Sequence, residues 1–236
     1  MLIASSRHTR ADLQAWQERE AHDAALASAR APAIEANAAR ARRAIVEFAS
    51  RPCYLGISWG KDSIVVAHLV AQLPDLPIRC VYFVHAPRDN PDCGAVRDAF
   101  LERYTMNYVE HLVDPRQPGD KTSKTARYRR WVNEAGLPHR RITGIRGAES
   151  RVRADSEHTH GVATEASCRP IISWSTADVF AYLYTHGLPV HPAYAQSMGG
   201  ALDREWLRVA PLGGSEGTGH GRAEWERRYY GTRRGP

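Results

Sequence analysis

Two stretches of this chain carry residue types suited to gripping a polyphosphate or sulfate anion. The first, Ser58-Trp59-Gly60-Lys61-Asp62-Ser63, follows the short apolar run Cys53-Tyr54-Leu55-Gly56-Ile57 and precedes an amphipathic stretch from Ile64 to Leu73. A strand that becomes a helix at this point leaves the first helical N–H groups without partners, with the positive end of the helix dipole behind them. Gly60 permits close backbone approach. Ser58 and Ser63 offer hydroxyl donors, and Lys61 adds a full positive charge. The competing reading is an ordinary glycine-containing helix start. The spacing is not that of the common nucleotide loop, which needs a glycine, four residues and then Gly-Lys-Ser/Thr. Asp62 stands where that Ser or Thr would be.

The second stretch, Ile142 to Arg153, reads as a strand end and a turn that carries Gly144, Arg146, Arg151 and Arg153. Guanidinium groups present forked donors that match phosphate or sulfate oxygens bidentately, which lysine cannot do. Glu149 is placed to hold one of these arginines. The bland alternative is a solvated basic loop. Between the two stretches, Arg79-Cys80-Val81-Tyr82-Phe83-Val84-His85 is a continuous apolar run of the kind a strand covered on both faces requires. The loop after it carries His85 and Asp89, for which turn chemistry and ligand contact are both open. Further on, Ser175 and Asp178 make a capping-box pattern ahead of an apolar helix face, and His191 and Tyr194 follow in a Pro-containing turn.

In this order the segments resemble the PP-loop ATP pyrophosphatases, in the branch that contains phosphoadenosine phosphosulfate (PAPS) reductases. The hexapeptide is similar to that family's Ser-Gly-Gly-Lys-Asp-Ser loop, with Trp59 in place of the first glycine, so the indole must point away from a ligand. Gly144-Ile145-Arg146 through Glu149-Ser150 resembles its Gly-hydrophobic-Arg-x-x-Glu-Ser signature. Pro170 to Tyr182 and Pro189 to Tyr194 resemble its Trp/Asp-Val helix and its Pro-x-His-Pro-x-Tyr turn. The matches cover about residues 44–195. The resemblance implies a Rossmann-like fold with an adenine nucleotide along the carboxyl ends of the strands. Ser58, Trp59, Gly60, Lys61, Asp62, Ser63, His85, Gly144 and Arg146 would form the binding set, and Lys61, Arg146 and Arg151 the catalytic one.

The expected architecture is α/β: a doubly wound, mostly parallel sheet with helices on both faces, a helical N-terminal extension and a flexible C-terminal tail. Residues 1–43 form the extension, with Thr9 as an N-cap and Pro32 between two helices. Residues 44–198 form the nucleotide-binding domain, and 199–236 a Gly-rich basic tail. Strands are expected at 53–57, 79–85, 108–113 and 140–144, and a polar helix at 121–134. The 236 residues, 43% of them hydrophobic, suffice for one substantial core. No apolar run reaches membrane-span length and no signal peptide is visible, so the expectation is cytoplasmic, without a membrane partner.

Net charge is +6, which favours anionic partners. The basic excess concentrates between Lys121 and Arg141 and in the tail, interleaved with Tyr128, Trp131, Trp225, Tyr229 and Tyr230, a pattern that suits tRNA or DNA as much as a solvated face. Cys53, Cys80, Cys93 and Cys168 show no C-x-x-C spacing, so neither a metal site nor an iron–sulfur cluster is expected. The Glu-Cys-Gly-Leu-His segment of thioredoxin-dependent PAPS reductases is also missing: no cysteine follows Cys168. The reading is therefore an enzyme that uses ATP and Mg²⁺, cleaves ATP to AMP and pyrophosphate and adenylylates an acceptor in sulfur transfer or nucleic-acid modification. The alternatives are an inert nucleotide-binding subunit and an atypical sulfonucleotide reductase. Assembly into an oligomer stays open.

Overall fold

The computed structural model describes residues 1–114, 121–209, 211–213 and 222–231. Five parallel strands form one sheet in the order β3-β2-β1-β4-β5. They are β1 (Tyr54–Ile57), β2 (Arg79–Val84), β3 (Asn107–Leu112), β4 (Arg141–Ile142) and β5 (Ser167–Cys168). Tyr54 of β1 lies in register with Arg79 of β2 on one side and Arg141 of β4 on the other. The chain therefore reverses direction of progress across the sheet beside β1, the crevice where open α/β sheets bind ligands.

Strand alternation divides the core. Leu55 and Ile57 of β1, Cys80 and Tyr82 of β2, and Ile142 of β4 face the larger layer. That layer is built from α2 (Ala31–Phe48), α3 (Lys61–Ala71), α4 (Cys93–Leu101) and α7 (Thr176–Thr185), with α1 (Arg10–Ala29) packed on α7. Tyr54, Val81 and Phe83 face a smaller cluster under α5 (Lys124–Glu134), completed by Val132 and Leu137. Helices thus cover both faces, as expected, but unequally. Every residue of α3 from Ser63 to Val70 is buried, as a helix apolar on all sides must be.

The termini depart from expectation. The expected boundary at 43/44 falls inside α2, which runs unbroken to Phe48. Thr9 caps α1 in a capping box with Asp12, and the same Asp12 carboxylate accepts hydrogen bonds from Tyr229 Oη and the Gly199 amide, each at 2.9 Å. The described parts of the tail are packed rather than loose. Helix α8 (Arg222–Tyr230) buries Trp225 and Tyr229, and Arg204 forks onto Asp23 of α1, with Nη1 2.6 Å from Oδ2. Of the Pro- and Gly-containing loop expected at 114–120 and the glycine tract at 213–221, residues 115–120 and 214–221 lie outside the described residues. Among the described residues no helix is long and apolar enough to cross a membrane.

Candidate functional site: a shared cation cluster at the start of α3

The turn between β1 and α3 is closed by its own hydroxyls. Ser63 Oγ donates to the Gly60 carbonyl at 2.9 Å and accepts from the Ser58 amide at 3.2 Å, and Ser58 Oγ lies 3.3 Å away. Ser63 is therefore a brace for the turn rather than a free donor. Trp59 has φ +56°, the left-handed conformation that glycine adopts without cost and a bulky residue does not. Its indole is fully buried against Tyr82, Phe100 and Tyr108. Of the expected binding set, Trp59 thus contributes backbone only.

Two neighbours fix the turn from outside. Tyr194 Oη accepts the Lys61 amide at 3.1 Å and lies beneath Gly60, where an added Cβ would come within 3.0 Å of it. Gly144, beyond β4, packs on the turn so closely that a Cβ there would sit 2.7 Å from the Asp62 carbonyl carbon and 2.8 Å from the Ser63 nitrogen. The two motif loops touch through backbone, which explains the glycine.

Charged side chains complete the site. Lys61 Nζ lies 2.7 Å from Asp62 Oδ2, and Arg146 Nε 2.6 Å from Asp62 Oδ1. Lys61 is 1% exposed and Arg146 2%. Burial lowers the Lys61 pKa, opposed by the Asp62 carboxylate. Arg146 also donates to the Trp174 carbonyl, and its amide to Glu149 Oε2. Glu149 in turn pairs with Arg153 and Arg208. Among the described residues these four cations share two carboxylates, with Glu157 against Gly147 as a third carboxylate beside them, leaving the cluster short of negative charge.

The structure thus brings together Lys61, Asp62, Arg146, Gly144 and the Ser58–Ser63 turn. Arg151, exposed at the first position of α6 (Arg151–His160), stands outside this network, and it is Arg153 that pairs with Glu149. His85 lies edge-on to Trp131 of α5 at 5.4 Å, and burial lowers its pKa. His191 is fully buried: its Nδ1 accepts the Ala193 amide, so the ring proton resides on Nε2, 3.7 Å from Cys93 Sγ. That tautomer cannot take the thiol proton, and burial drives the Cys93 pKa up to about 12. All four cysteines are buried. Tyr128 and Trp131 turn inward onto Phe83, and Trp225 and Tyr229 are buried, so these rings pack the protein rather than offer open stacking faces.

A family model described as "Phosphoadenosine phosphosulfate reductase domain" matches residues 52–202. The chain belongs to this family. Proteins named phosphoadenosine 5'-phosphosulfate reductase are similar to it. One from a Synechococcus species is 25% identical over 67% of this chain and 75% of its own length. One from Xanthomonas axonopodis pv. citri is 25% identical over 76% and 78%. Among solved structures, the PAPS reductase of Candida auris in complex with phosphate superposes with TM-score 0.47 at 13% identity, over 64% of this chain and 81% of that one. The U34-tRNA thiolase NcsA of Methanococcus maripaludis, with its [4Fe-4S] cluster, gives 0.45 at 14%, over 66% of each.

The cofactor expectation of ATP and Mg²⁺ without an iron–sulfur cluster is corrected by the last comparison, since a neighbour in that search carries such a cluster. Cluster ligands converge in space, so sequence spacing signals a cluster when present and says little when absent. Neither the nucleotide–magnesium pair nor the lack of a cluster is kept as a cofactor assignment. Arg208 was not anticipated from the sequence, because it follows the matched domain; its only signal is that Leu207 and Val209 on either side are buried.

Proposed function

We propose that the chain binds an adenine nucleotide as substrate, seats its terminal anionic groups at the start of α3, and transfers the adenylyl group to an acceptor with pyrophosphate as the leaving group. The observation that supports this most is the cluster of four cations on two carboxylates. An anion bound there supplies the missing negative charge inside a site that is already organised, the kind of electrostatic help that usually dominates such reactions. The acceptor nucleophile attacks the α-phosphorus, the bond to the bridging oxygen breaks, and Lys61 and Arg146 neutralise the charge that develops on the departing pyrophosphate. The acceptor we favour is a nucleic acid. Lys121, Lys124, Arg129 and Arg130 are exposed along and beside α5, and their phosphate contacts would weaken steeply with salt.

The test is to incubate the protein with ATP or with PAPS, each with and without tRNA or DNA, and to quantify AMP and pyrophosphate. Pyrophosphate release that needs nucleic acid and vanishes in Lys61→Ala is the expected result. Tight nucleotide binding without turnover under every condition favours an inert subunit instead, a reading supported by the seclusion of Lys61 and Arg146 on Asp62. Adenosine 3',5'-bisphosphate and sulfite from PAPS would overturn the leaving-group assignment.

A further inference from the structure

The stretch Asp203 to Val209 lies beyond the matched domain and crosses the site. Arg204 anchors it to Asp23 on α1 and stacks over Phe180 at 3.7 Å. Leu207 and Val209 turn inward, and Val209 Cβ sits 3.7 Å from where a Cβ on Gly60 would be. On the far side, the Leu212 amide donates to the Arg88 carbonyl and Arg88 Nε to the Leu212 carbonyl, both at 2.7 Å. Arg222 of α8 donates to the Arg208 carbonyl at 3.4 Å. The stretch around Arg208 is thus tied to α1, to the loop after β2 and to α8, and the Arg208 side chain is directed to Glu149.

The cations of the cluster differ in what they can do next. Lys61 and Arg146 are enclosed and bonded to Asp62. The Arg208 side chain is 34% exposed, on a carboxylate that also holds Arg153 and the Arg146 amide. Glu149 itself is only 9% exposed, but it retains Arg153 and the Arg146 amide when Arg208 departs, so no buried carboxylate is left unpaired.

We propose, resting on the nucleotide-binding reading above, that Arg208 is a substrate-contacting arginine, and that Glu149 is the internal carboxylate it leaves when the nucleotide's terminal phosphate or sulfate enters. Glu149 keeps Arg153 after the exchange and so is never left without a counter-charge. Asp23 and Arg204 act as positioning residues, since they set the height at which the strap crosses α3.

The test uses full-length protein and measures the Kd of inorganic pyrophosphate and of ATP, with adenosine as a phosphate-free control. Arg208→Ala is expected to weaken pyrophosphate and ATP about ten- to hundredfold, the scale of one charge-assisted contact, and to leave adenosine unchanged. Glu149→Gln removes the competitor and is expected to bind both anions at least as tightly as the parent. A merely structural ion pair predicts the same sign for both variants, because either one breaks it. Arg208→Ala without loss, or Glu149→Gln with loss, overturns the proposal. Should Arg208→Ala fail to fold, Arg208→Lys replaces it: the expected loss is severalfold, and parental affinity refutes the role of the forked donor. If the parent binds neither anion, the nucleotide-binding reading itself fails.

Discussion

Replacing Trp59 tests the energetic balance at the turn. The indole is fully buried and meets Tyr108 edge-on at 5.4 Å, Phe100 at 6.0 Å and Tyr82 at 6.4 Å. Truncating such a side chain to alanine costs about 3–5 kcal/mol. Holding a non-glycine residue at φ +56° costs roughly 1–2 kcal/mol, so glycine recovers that amount and loses about 0.5–1 kcal/mol through the greater freedom of its unfolded chain. The expected net loss is about 2–4 kcal/mol for Trp59→Gly and about 3–5 kcal/mol for Trp59→Ala, a large part of the ~5–15 kcal/mol stability typical of a domain. Urea unfolding at constant m reads both numbers. Glycine should be the better of the two by several tenths of a kcal/mol or more, the reverse of the usual order. A glycine variant as stable as the parent would show that the aromatic packing contributes no more than the backbone strain that glycine relieves. A glycine variant less stable than the alanine one would show that the positive φ carries less strain than glycine's unfolded-state freedom costs.

Three further outcomes follow from the site. Asp62→Asn strips the counter-charge from Lys61 and Arg146, both buried. It should cost about 3–5 kcal/mol, with added pyrophosphate raising Tm more than in the parent; an unchanged Tm without ligand would contradict the pairing. Gly144→Ala drives a methyl against the Asp62 and Ser63 backbone at 2.7–2.8 Å, where no side chain can give way. Both a loss of about 1–3 kcal/mol and weaker nucleotide binding are expected, and parental affinity would separate the two loops functionally. Burial, with His8 nearby, lowers the His191 pKa to about 3, below the unfolded ~6.5, so the unfolded chain binds the extra proton first and stability rises with pH between those values. Stability is full above about 6.5 and declines towards pH 3, and His191→Gln should flatten that decline in urea titrations at stepped pH; an unaltered slope assigns the acid sensitivity elsewhere.

Much of the sheet was legible because its signals are local. The run at 79–85 was of the kind a strand covered on both faces requires, and the N-cap at Thr9 and the capping-box pattern at Ser175 marked two helix starts that the structure places at those residues. Strand β4 was expected across 140–144 but its register pairs are only Arg141 and Ile142; the Thr143 amide still donates to the Cys168 carbonyl, and from Gly144 the chain leaves the ladder to meet the β1–α3 turn. Strand β5 has two residues, too few for any period to show. Helix α6 buries nothing and so has no apolar stripe to read, which is why its arginines looked like a loop. The site was legible in its motif loops and illegible in its closure, since the partnership of Glu149 with Arg208 spans 59 positions and has no sequence spacing.

The bond between Asp12 and Tyr229 joins residues 217 apart in sequence. On the ribosome, therefore, a nascent chain can carry both motif loops and most of the sheet well before the roof over α3 can set. That roof waits for α8 to emerge and find the first helix. Stop codons placed just before Arg222 should accordingly yield a protein with a formed sheet and a cation cluster whose strap lacks its α8 support.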